Sequence, residues 1–187
     1  MKIVRSILAV VVGYFVCFVV IMAIHTINFA VHRPDDGKPL MEQMKAIQED
    51  PAKMKAWGES MPPAALLTVL VAWQAGAFLG GGVSALIAGR ARFVHAGIIG
   101  TLTLVGTIYA ISDMHRKSGF SHPDWMVLAG LLLPLPSSLI AGKIVSMLLP
   151  SASLPATTTE GALLPSPTKG AFKEGEPPMR PGSATEK

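Results

Sequence analysis

Four long apolar runs, nearly free of charged residues, constrain this chain more than any other feature of its sequence. They cover residues 7–30, 66–88, 93–112 and 125–142. Each run is close to the roughly 20 residues that an α-helix needs to cross about 30 Å of hydrocarbon at about 1.5 Å per residue. A strand of a membrane barrel would alternate apolar with polar residues, and these runs do not. The sequence therefore predicts an all-α fold, a four-helix transmembrane bundle.

Charge and cysteine content agree with a membrane location. Charged residues make up 15% of the 187 residues, whereas soluble domains carry roughly 25%. The net charge of +4 comes from basic residues at helix ends and in the C-terminal tail. Orientation in the membrane and binding to lipid headgroups explain this positive charge better than binding to nucleic acid does. The single cysteine, Cys17, excludes an intramolecular disulfide and is expected to be a packing residue.

The chain divides into a membrane domain and a tail. Residues 1–149 are predicted to hold the spans, at about 7–30, 64–89, 93–114 and 125–149. In the polar first loop, Asp50 followed by Pro51 is typical of a helix start, and an amphipathic interfacial helix is predicted within residues 40–60. Residues 150–187 are rich in Pro, Ser and Thr and are predicted to be disordered, because they cannot bury enough apolar surface to offset the entropy of ordering.

Basic residues at the ends of the runs predict the orientation. Lys2 and Arg5 precede the first run, Arg90 and Arg92 lie in the short second loop, and Lys143 lies near the end of the fourth run. Cytoplasmic ends of membrane helices carry an excess of Lys and Arg. The first run is longer than the apolar region of a signal peptide, so it is expected to be retained. Both termini are therefore predicted to be cytoplasmic.

Small residues recur along the second and third runs. In lipid, helices associate through close packing, which small residues permit. The connection at residues 89–92 is very short, so these two helices must form an antiparallel hairpin. We expect them to pack along their glycine faces, although the same faces would also suit a second subunit. The glycines concerned are Gly76, Gly80, Gly81, Gly97 and Gly100.

Several short segments resemble a group of small bacterial four-helix membrane proteins. The resemblance covers residues 1–149 and rests on glycines, prolines and aromatic residues. It implies the fold and a location in the bacterial inner membrane, and it implies no activity. The segments are Pro63-Ala64-Ala65, Ala72-Trp73, Gly76-Ala77, Gly80-Gly81, Ala88-Gly89-Arg90, His122-Pro123-Asp124-Trp125 and Leu133-Pro134-Leu135-Pro136.

The fourth run contains two prolines near its middle, Pro134 and Pro136. Each lacks an N–H, so the carbonyl four residues earlier loses its helical partner. In a membrane such carbonyls are satisfied by side chains, water or neighbouring helices. A kink is predicted there, and Ser137 and Ser138 are placed to compensate the freed carbonyls.

One set of polar and aromatic residues falls at a similar depth in the half of the bundle nearer the first loop. Their shared depth would bring their side chains together, and this predicts a small pocket for a lipid-like or other small molecule. The more ordinary interpretation is a set of hydrogen bonds between helices. The candidate ligand-binding residues are Trp73, Gln74, Thr107, Tyr109, Pro134 and Ser137, with Met22 and His25 completing the ring.

Histidines and aspartates near the same end form a second, weaker constellation. Such a set suits a metal ion, and His25 with His115 would suit a haem across the bundle. Loop histidines are more often simply solvated, so no metal site and no cofactor is predicted. The residues are His25, His32, His115, His122, Asp113 and Asp124.

The function predicted from these features is non-enzymatic. The sequence holds no catalytic motif and no paired carboxylates within the runs. The first hypothesis is an accessory or scaffolding subunit that binds another membrane protein or a second copy of itself. The alternative is a passive carrier or channel for a small solute or lipid. A stable partner would favour the first, and stabilisation by a ligand the second.

Overall fold

The computed structural model describes residues 2–34 and 37–149, and within them it contains helices and no strands. The tail predicted to be disordered lies outside the described residues. The all-α fold predicted from the sequence is confirmed. The helices are α1 (Lys2–His32), α2 (Leu40–Glu49), α3 (Pro51–Ser60), α4 (Pro63–Ala88), α5 (Arg92–Ser118), α6 (Asp124–Leu132) and α7 (Pro134–Leu148).

Four helical segments of the described chain are long and apolar enough to cross a membrane: α1, α4, α5 and the α6–α7 pair. Helix α4 is the central one, since it packs against α1, α5 and α7. In the most apolar 18-residue segment of α4, 44% of the residues are buried, whereas in the corresponding segment of α1 only 17% are buried. Helix α1 therefore lies at the edge of the bundle, with most of its apolar surface facing outward.

The two ends of the bundle differ in construction. At one end, α4 joins α5 through residues 89–91, where Gly89 has φ 68° and Ala91 has φ 51°. We call this the short-loop end. The other end carries α2, α3 and the connection at residues 119–123, and we call it the cap end. Helices α1 and α5 both run toward the cap end. Any space between them therefore reaches α2 and α3 at that end.

Helices α1 and α4 make the closest contact in the bundle, through small residues on both sides. A Cβ atom added at Gly80 would lie 2.6 Å from both the Cys17 Cβ and the Gly13 carbonyl oxygen. One added at Gly76 would lie 2.9 Å from the Cys17 carbonyl oxygen. Real Cβ atoms do not approach other atoms so closely, so this approach of the two backbones requires glycine.

The expectation that the glycine faces of α4 and α5 meet each other is wrong. Gly76 and Gly80 face α1, as described above. The other glycines face α7: Gly81 lies against Ser138, Gly97 faces Leu139 and Gly100 approaches Leu135. Helix α7 inserts beside both members of the hairpin, so the small residues accommodate two different neighbours. Spacing along a helix identifies a packing face without identifying the helix that covers it.

The fourth span is interrupted at Leu133, between α6 and α7. Leu133 keeps helical backbone angles (φ −90°, ψ −28°), so the interruption comes from the backbone N–H groups that Pro134 and Pro136 lack. The compensation predicted for the serines is wrong, however. The Ser137 hydroxyl donates to Gln74 Oε1 at 3.0 Å, and the Ser138 hydroxyl donates to the Leu135 carbonyl at 2.8 Å.

Helix α3 begins as its sequence predicts. The Asp50 Oδ1 atom accepts hydrogen bonds from the backbone N–H groups of Ala52 at 3.0 Å and Lys53 at 3.2 Å. These are N–H groups that lack a partner within the helix. The hydrogen bond from Lys53 is the main reason why the pKa of Asp50 lies below its ordinary value. The ionised carboxylate of Asp50 therefore stabilises the start of α3.

Removal of this cap is expected to loosen α3 without unfolding the bundle. In Asp50→Ala the amides of Ala52 and Lys53 should exchange faster with solvent, while amides of α4 keep their rates. Because the folded-state pKa is depressed, the cap is present above the unfolded pKa and is lost as pH falls through the folded value. Hydrogen exchange resolved by mass spectrometry measures both effects. Equal exchange in wild type and variant would contradict the role of the cap.

Candidate ligand-binding cleft

A cavity of about 870 Å³ lies between α1 and α5. These two helices touch far less than either touches α4, so they diverge and leave a gap. Helix α4 forms the floor of the gap, and α2 and α3 contribute residues at its cap end. We call this space the cleft.

The cleft is elongated along the helix axes. Its α1 wall extends from Tyr14 to Phe29, and its α5 wall extends from Thr103 to Lys117. At about 1.5 Å per residue the walls are about 21–23 Å long. Half of a hydrocarbon core measures about 15 Å. The cleft therefore reaches from the middle of the bundle to the cap end, the depth of one leaflet and its headgroup layer.

The floor of the cleft is an apolar cluster. Leu66, Val69 and Trp73 of α4 pack with Met126 of α6, and all four are buried. The Trp73 ring lies directly over Gly130, where an added Cβ would be 2.6 Å from Cζ3 of the indole. The absence of a side chain at position 130 thus allows the large ring to lie flat against α6.

The two walls of the cleft touch near its inner end. The Cys17 Sγ atom of α1 lies 3.3 Å from the Thr103 Oγ1 atom of α5. The Thr103 hydroxyl donates its proton to the Ile99 carbonyl at 2.9 Å, so the thiol is the donor in the contact between helices. Cys17 and Thr103 are both buried, and the cleft narrows at this level.

Polar groups of the lining concentrate at the cap end. Asp113 Oδ2 and Lys117 Nζ form an ion pair at 2.7 Å. The Trp57 ring packs edge-on against Phe29 with centroids 5.4 Å apart. His122 also lines this end, and burial lowers the pKa of its imidazole below the ordinary value. The imidazole is therefore neutral at pH 7, and the charges of the lining cancel.

The long side of the cleft faces outward between α1 and α5. Phe18 and Met22 on one wall are 54% and 46% exposed, and Tyr109 on the other wall is 66% exposed. In a bilayer, large apolar side chains exposed at this depth meet lipid tails. The opening of the cleft is thus directed sideways, toward lipid.

The structure brings together part of the ligand-binding set predicted from the sequence. Trp73, Thr107 and Tyr109 line the cleft, together with Met22 and His25. Residues of three different helices therefore line the same space. That these residues bind a ligand remains a prediction.

Gln74, Pro134 and Ser137 lie elsewhere. Gln74 follows Trp73 directly, and consecutive residues of a helix point about 100° apart. Trp73 consequently faces α6 and the cleft, while Gln74 hydrogen-bonds to Ser137 of α7. Depth along a helix does not say which face of α4 each residue occupies.

Most of the cleft lining was not predicted from the sequence, and two of its residues are notable. Gly106 of α5 lines the cleft, and a Cβ added there would have no atom within 4 Å. Phe120 is buried below Gly58 of α3 and closes the cap end. Gly106 looks like the packing glycines in sequence, so no local signal distinguishes it from them.

The histidines considered for a metal or haem are dispersed. His115 Nδ1 lies 3.1 Å from the Ser121 hydroxyl, His122 packs edge-on against Phe120, and His25 lines the cleft wall. Within residues 2–34 and 37–149, no three His, Cys, Asp or Glu side chains come together as a metal-binding group.

The bundle and its four apolar spans are compatible with a multi-pass membrane protein. Comparison with protein-family models, curated proteins and solved structures found no match. The function must therefore be argued from the cleft itself.

Proposed function

We propose that this protein is a non-enzymatic membrane protein that binds a lipid-like molecule of the bilayer in the cleft between α1 and α5. The observation that carries the proposal is a cavity of about 870 Å³ that is mainly apolar and one leaflet deep, and whose long side faces outward. Binding pockets for small molecules typically occupy roughly 300–1,000 Å³ and have mainly hydrophobic linings with a few polar groups. The cleft meets each of these conditions.

The shape of the cleft favours binding over passage through the protein. Cys17 and Thr103 bring its two walls into contact near the inner end. Beyond them, toward the short-loop end, small residues bring the helices into contact: Gly13 lies against Ser84, and a Cβ added at Gly142 would be 2.6 Å from that of Ala96. A continuous pore would need space where these backbones touch. A molecule therefore enters and leaves by the side, as a carrier or a lipid-binding protein requires.

The first hypothesis from the sequence, an accessory subunit, rested on the small-residue faces, the interfacial first loop and the absence of catalytic motifs. The small-residue faces pack against α1 and α7 of the same chain, so they are not free for a second protein. Partner binding thereby loses one of the three features that suggested it. The cleft instead supports the alternative, a carrier for a small lipid-like molecule.

Charge supports a cytoplasmic short-loop end. Arg5, Arg90, Arg92 and Lys143 lie near this end, and no described Asp or Glu lies near it. Among them, Arg5 Nε donates to the Ile87 carbonyl at 2.6 Å. With basic residues on the cytoplasmic side, both termini are cytoplasmic and the cleft opens to the outer leaflet. By the resemblance described above, we propose that this membrane is the inner membrane of a bacterium.

Filling the cleft should abolish binding. In Gly106→Phe the new ring enters space that is empty in the wild type, at about 18 Å from the cap end and close to the level of Trp73. The reporter is the fluorescence of Trp57 and Trp73, which both line the cleft, in vesicles containing diacylglycerol brominated at mid-chain, because bromine quenches tryptophan on contact. Trp125 is replaced by Phe throughout, since it is 43% exposed to surrounding lipid. We expect Gly106→Phe to require about tenfold more brominated lipid for half-quenching.

Val105→Phe is the matched control. Val105 precedes Gly106, is 57% exposed and does not line the cleft, so the same ring is added on the lipid-facing side. This variant should be quenched like the parent. Thermal unfolding of both variants in detergent establishes that each is folded. Quenching that is equal in the two variants, or absent in the parent, would overturn the proposed function.

A further inference from the structure

Two polar side chains inside the cleft have no hydrogen-bond partner in the described part of the chain. They are the His25 imidazole on the α1 wall and the Thr107 hydroxyl on the α5 wall. Neither group is among the polar atoms that the surrounding protein shields completely. A molecule in the cleft therefore has access to both of them.

Both side chains border the cleft. His25 shares one face of α1 with Phe18 and Met22, at spacings of three and four residues, and all three line the cleft. Thr107 is 3% exposed, and its methyl group lies toward α6, 3.4 Å from a Cβ added at Gly130. The small part of Thr107 that is still accessible thus belongs to the cleft wall.

Both groups lie well inside the membrane-spanning part of their helices. His25 is 7 residues from the cap end of α1 at His32, and Thr107 is 11 residues from the cap end of α5 at Ser118. At about 1.5 Å per residue these positions are about 10 Å and about 16 Å deep. The chains of a phospholipid or an acylglycerol are pure hydrocarbon at such depths. An acyl chain in the cleft would leave both polar groups without a partner, which is costly.

The lining is rich in aromatic and methionine side chains. Both tyrosines, two of the three tryptophans and six of the ten methionines of the chain contribute to it. Aromatic side chains gain from offset or edge-on contact with another ring, and so does the polarisable sulfur of methionine. A flat ring in the cleft makes these contacts, whereas a saturated chain does not. The methionines are Met22, Met44, Met54, Met61, Met114 and Met126.

The two free groups accept both carbonyl and hydroxyl partners. In its neutral form an imidazole has one donor and one acceptor nitrogen, and a threonine hydroxyl both donates and accepts. His25 can donate to a carbonyl oxygen or accept from a hydroxyl group, and Thr107 can do the same. A ring that carries either kind of oxygen completes their hydrogen bonds.

Resting on the proposed binding of a lipid-like molecule, we propose that the ligand of the cleft is a membrane-soluble quinone or its quinol, an uncharged ring with carbonyl or hydroxyl groups and an apolar tail. The ring lies at the level of His25 and Thr107, among the aromatic and methionine side chains. The tail leaves through the open long side of the cleft into the surrounding lipid.

The test compares three probes of similar tail length on the full chain in detergent. The first is a decyl benzoquinone whose other ring positions carry methyl and methoxy groups, so that no ring position is open to the Cys17 thiol. Decylbenzene keeps the ring without the oxygens, and monodecanoylglycerol keeps oxygens without the ring. The rise in the midpoint of thermal unfolding with the mole fraction of probe in the micelle gives each apparent Kd. That of the quinone should be at least about tenfold lower than that of either other probe.

Substitutions test the two polar groups. His25→Leu should weaken quinone binding about fivefold and leave decylbenzene unchanged, because only the quinone loses a hydrogen bond. His25→Gln keeps a donor and an acceptor and should restore most of the affinity. Thr107→Val keeps the shape of the side chain and should weaken quinone binding about threefold. His115→Leu is the matched control, since His115 does not line the cleft, and it should bind the quinone like the wild type.

The outcomes separate this inference from the proposed function. Binding of decylbenzene or monodecanoylglycerol as tight as that of the quinone would overturn the ligand class. Unchanged quinone affinity in both His25→Leu and Thr107→Val would overturn it as well, and so would stabilisation by the quinone that is equal in Gly106→Phe and Val105→Phe. Lipid binding in the cleft is tested independently by the quenching with brominated diacylglycerol described above. The unfolding midpoint of each variant without probe establishes that it is folded.

Discussion

Gly80→Val is expected to prevent α1 from packing against α4 and to abolish the folded bundle. The first atom of the new side chain would lie 2.6 Å from the Cys17 Cβ and 2.6 Å from the Gly13 carbonyl oxygen. Both atoms belong to the rigid framework of α1, so neither can move without displacing the whole helix. Overpacking in a well-packed interior costs about 1–3 kcal/mol even where side chains can adjust. We expect a loss of more than about 3 kcal/mol here.

Gly106→Val is the matched control for this substitution. It places the same side chain on a transmembrane helix, but no atom lies within 4 Å of the added Cβ. Its stability should stay within about 0.5 kcal/mol of the wild type, because valine has a slightly higher helix propensity than glycine. Unfolding by SDS in mixed micelles measures both variants. Equal stability of the two would contradict the packing described for α1 and α4.

Trp73→Ala is expected to have the second largest effect on stability. The indole is 6% exposed and packs with Leu66, Val69 and Met126 in the apolar cluster beneath the cleft. Replacing a buried tryptophan by alanine typically costs about 3–5 kcal/mol. In a membrane the contribution from transfer out of water is smaller, because lipid is also apolar. The lost contacts should still destabilise the fold by roughly 3 kcal/mol.

Trp125→Ala provides the comparison. Trp125 lies in the first turn of α6 and is 43% exposed, so it loses few contacts within the protein. We expect it to change the stability by less than about 1 kcal/mol. The same SDS titration compares the two variants. If Trp125→Ala destabilised the protein as much as Trp73→Ala, the floor of the cleft would not be the core that the structure shows.

The relation between sequence and cleft is clearest at α4. The sequence identified Trp73 and Gln74 together as polar or aromatic groups at one depth. The structure separates them, with Trp73 under the cleft and Gln74 hydrogen-bonded to Ser137 of α7. A uniformly apolar helix has no polar face to show how it is rotated. Rotation about the axis is set by the neighbours, and these are known only once the helices pack.

The sequence by itself determined the class of fold. Long apolar runs must be helices in a bilayer because every backbone group there needs an internal partner. The pair Pro134 and Pro136 predicted the irregularity that the structure places at Leu133, because each proline lacks an N–H. Asp50 with Pro51 likewise started a helix where local chemistry requires one. These outcomes depend on single residues and their immediate neighbours along the chain.

The tertiary structure alone decided which glycines pack and which leave space. Gly80 and Gly106 are alike in the sequence, yet one contacts the backbone of α1 and the other borders an empty cleft. The difference arises because α1 and α5 both lean on α4 and diverge from each other. Small-residue spacing is satisfied by any neighbour that comes close enough, so the pairing of helices, and with it the cleft, follows from the packing of the whole bundle.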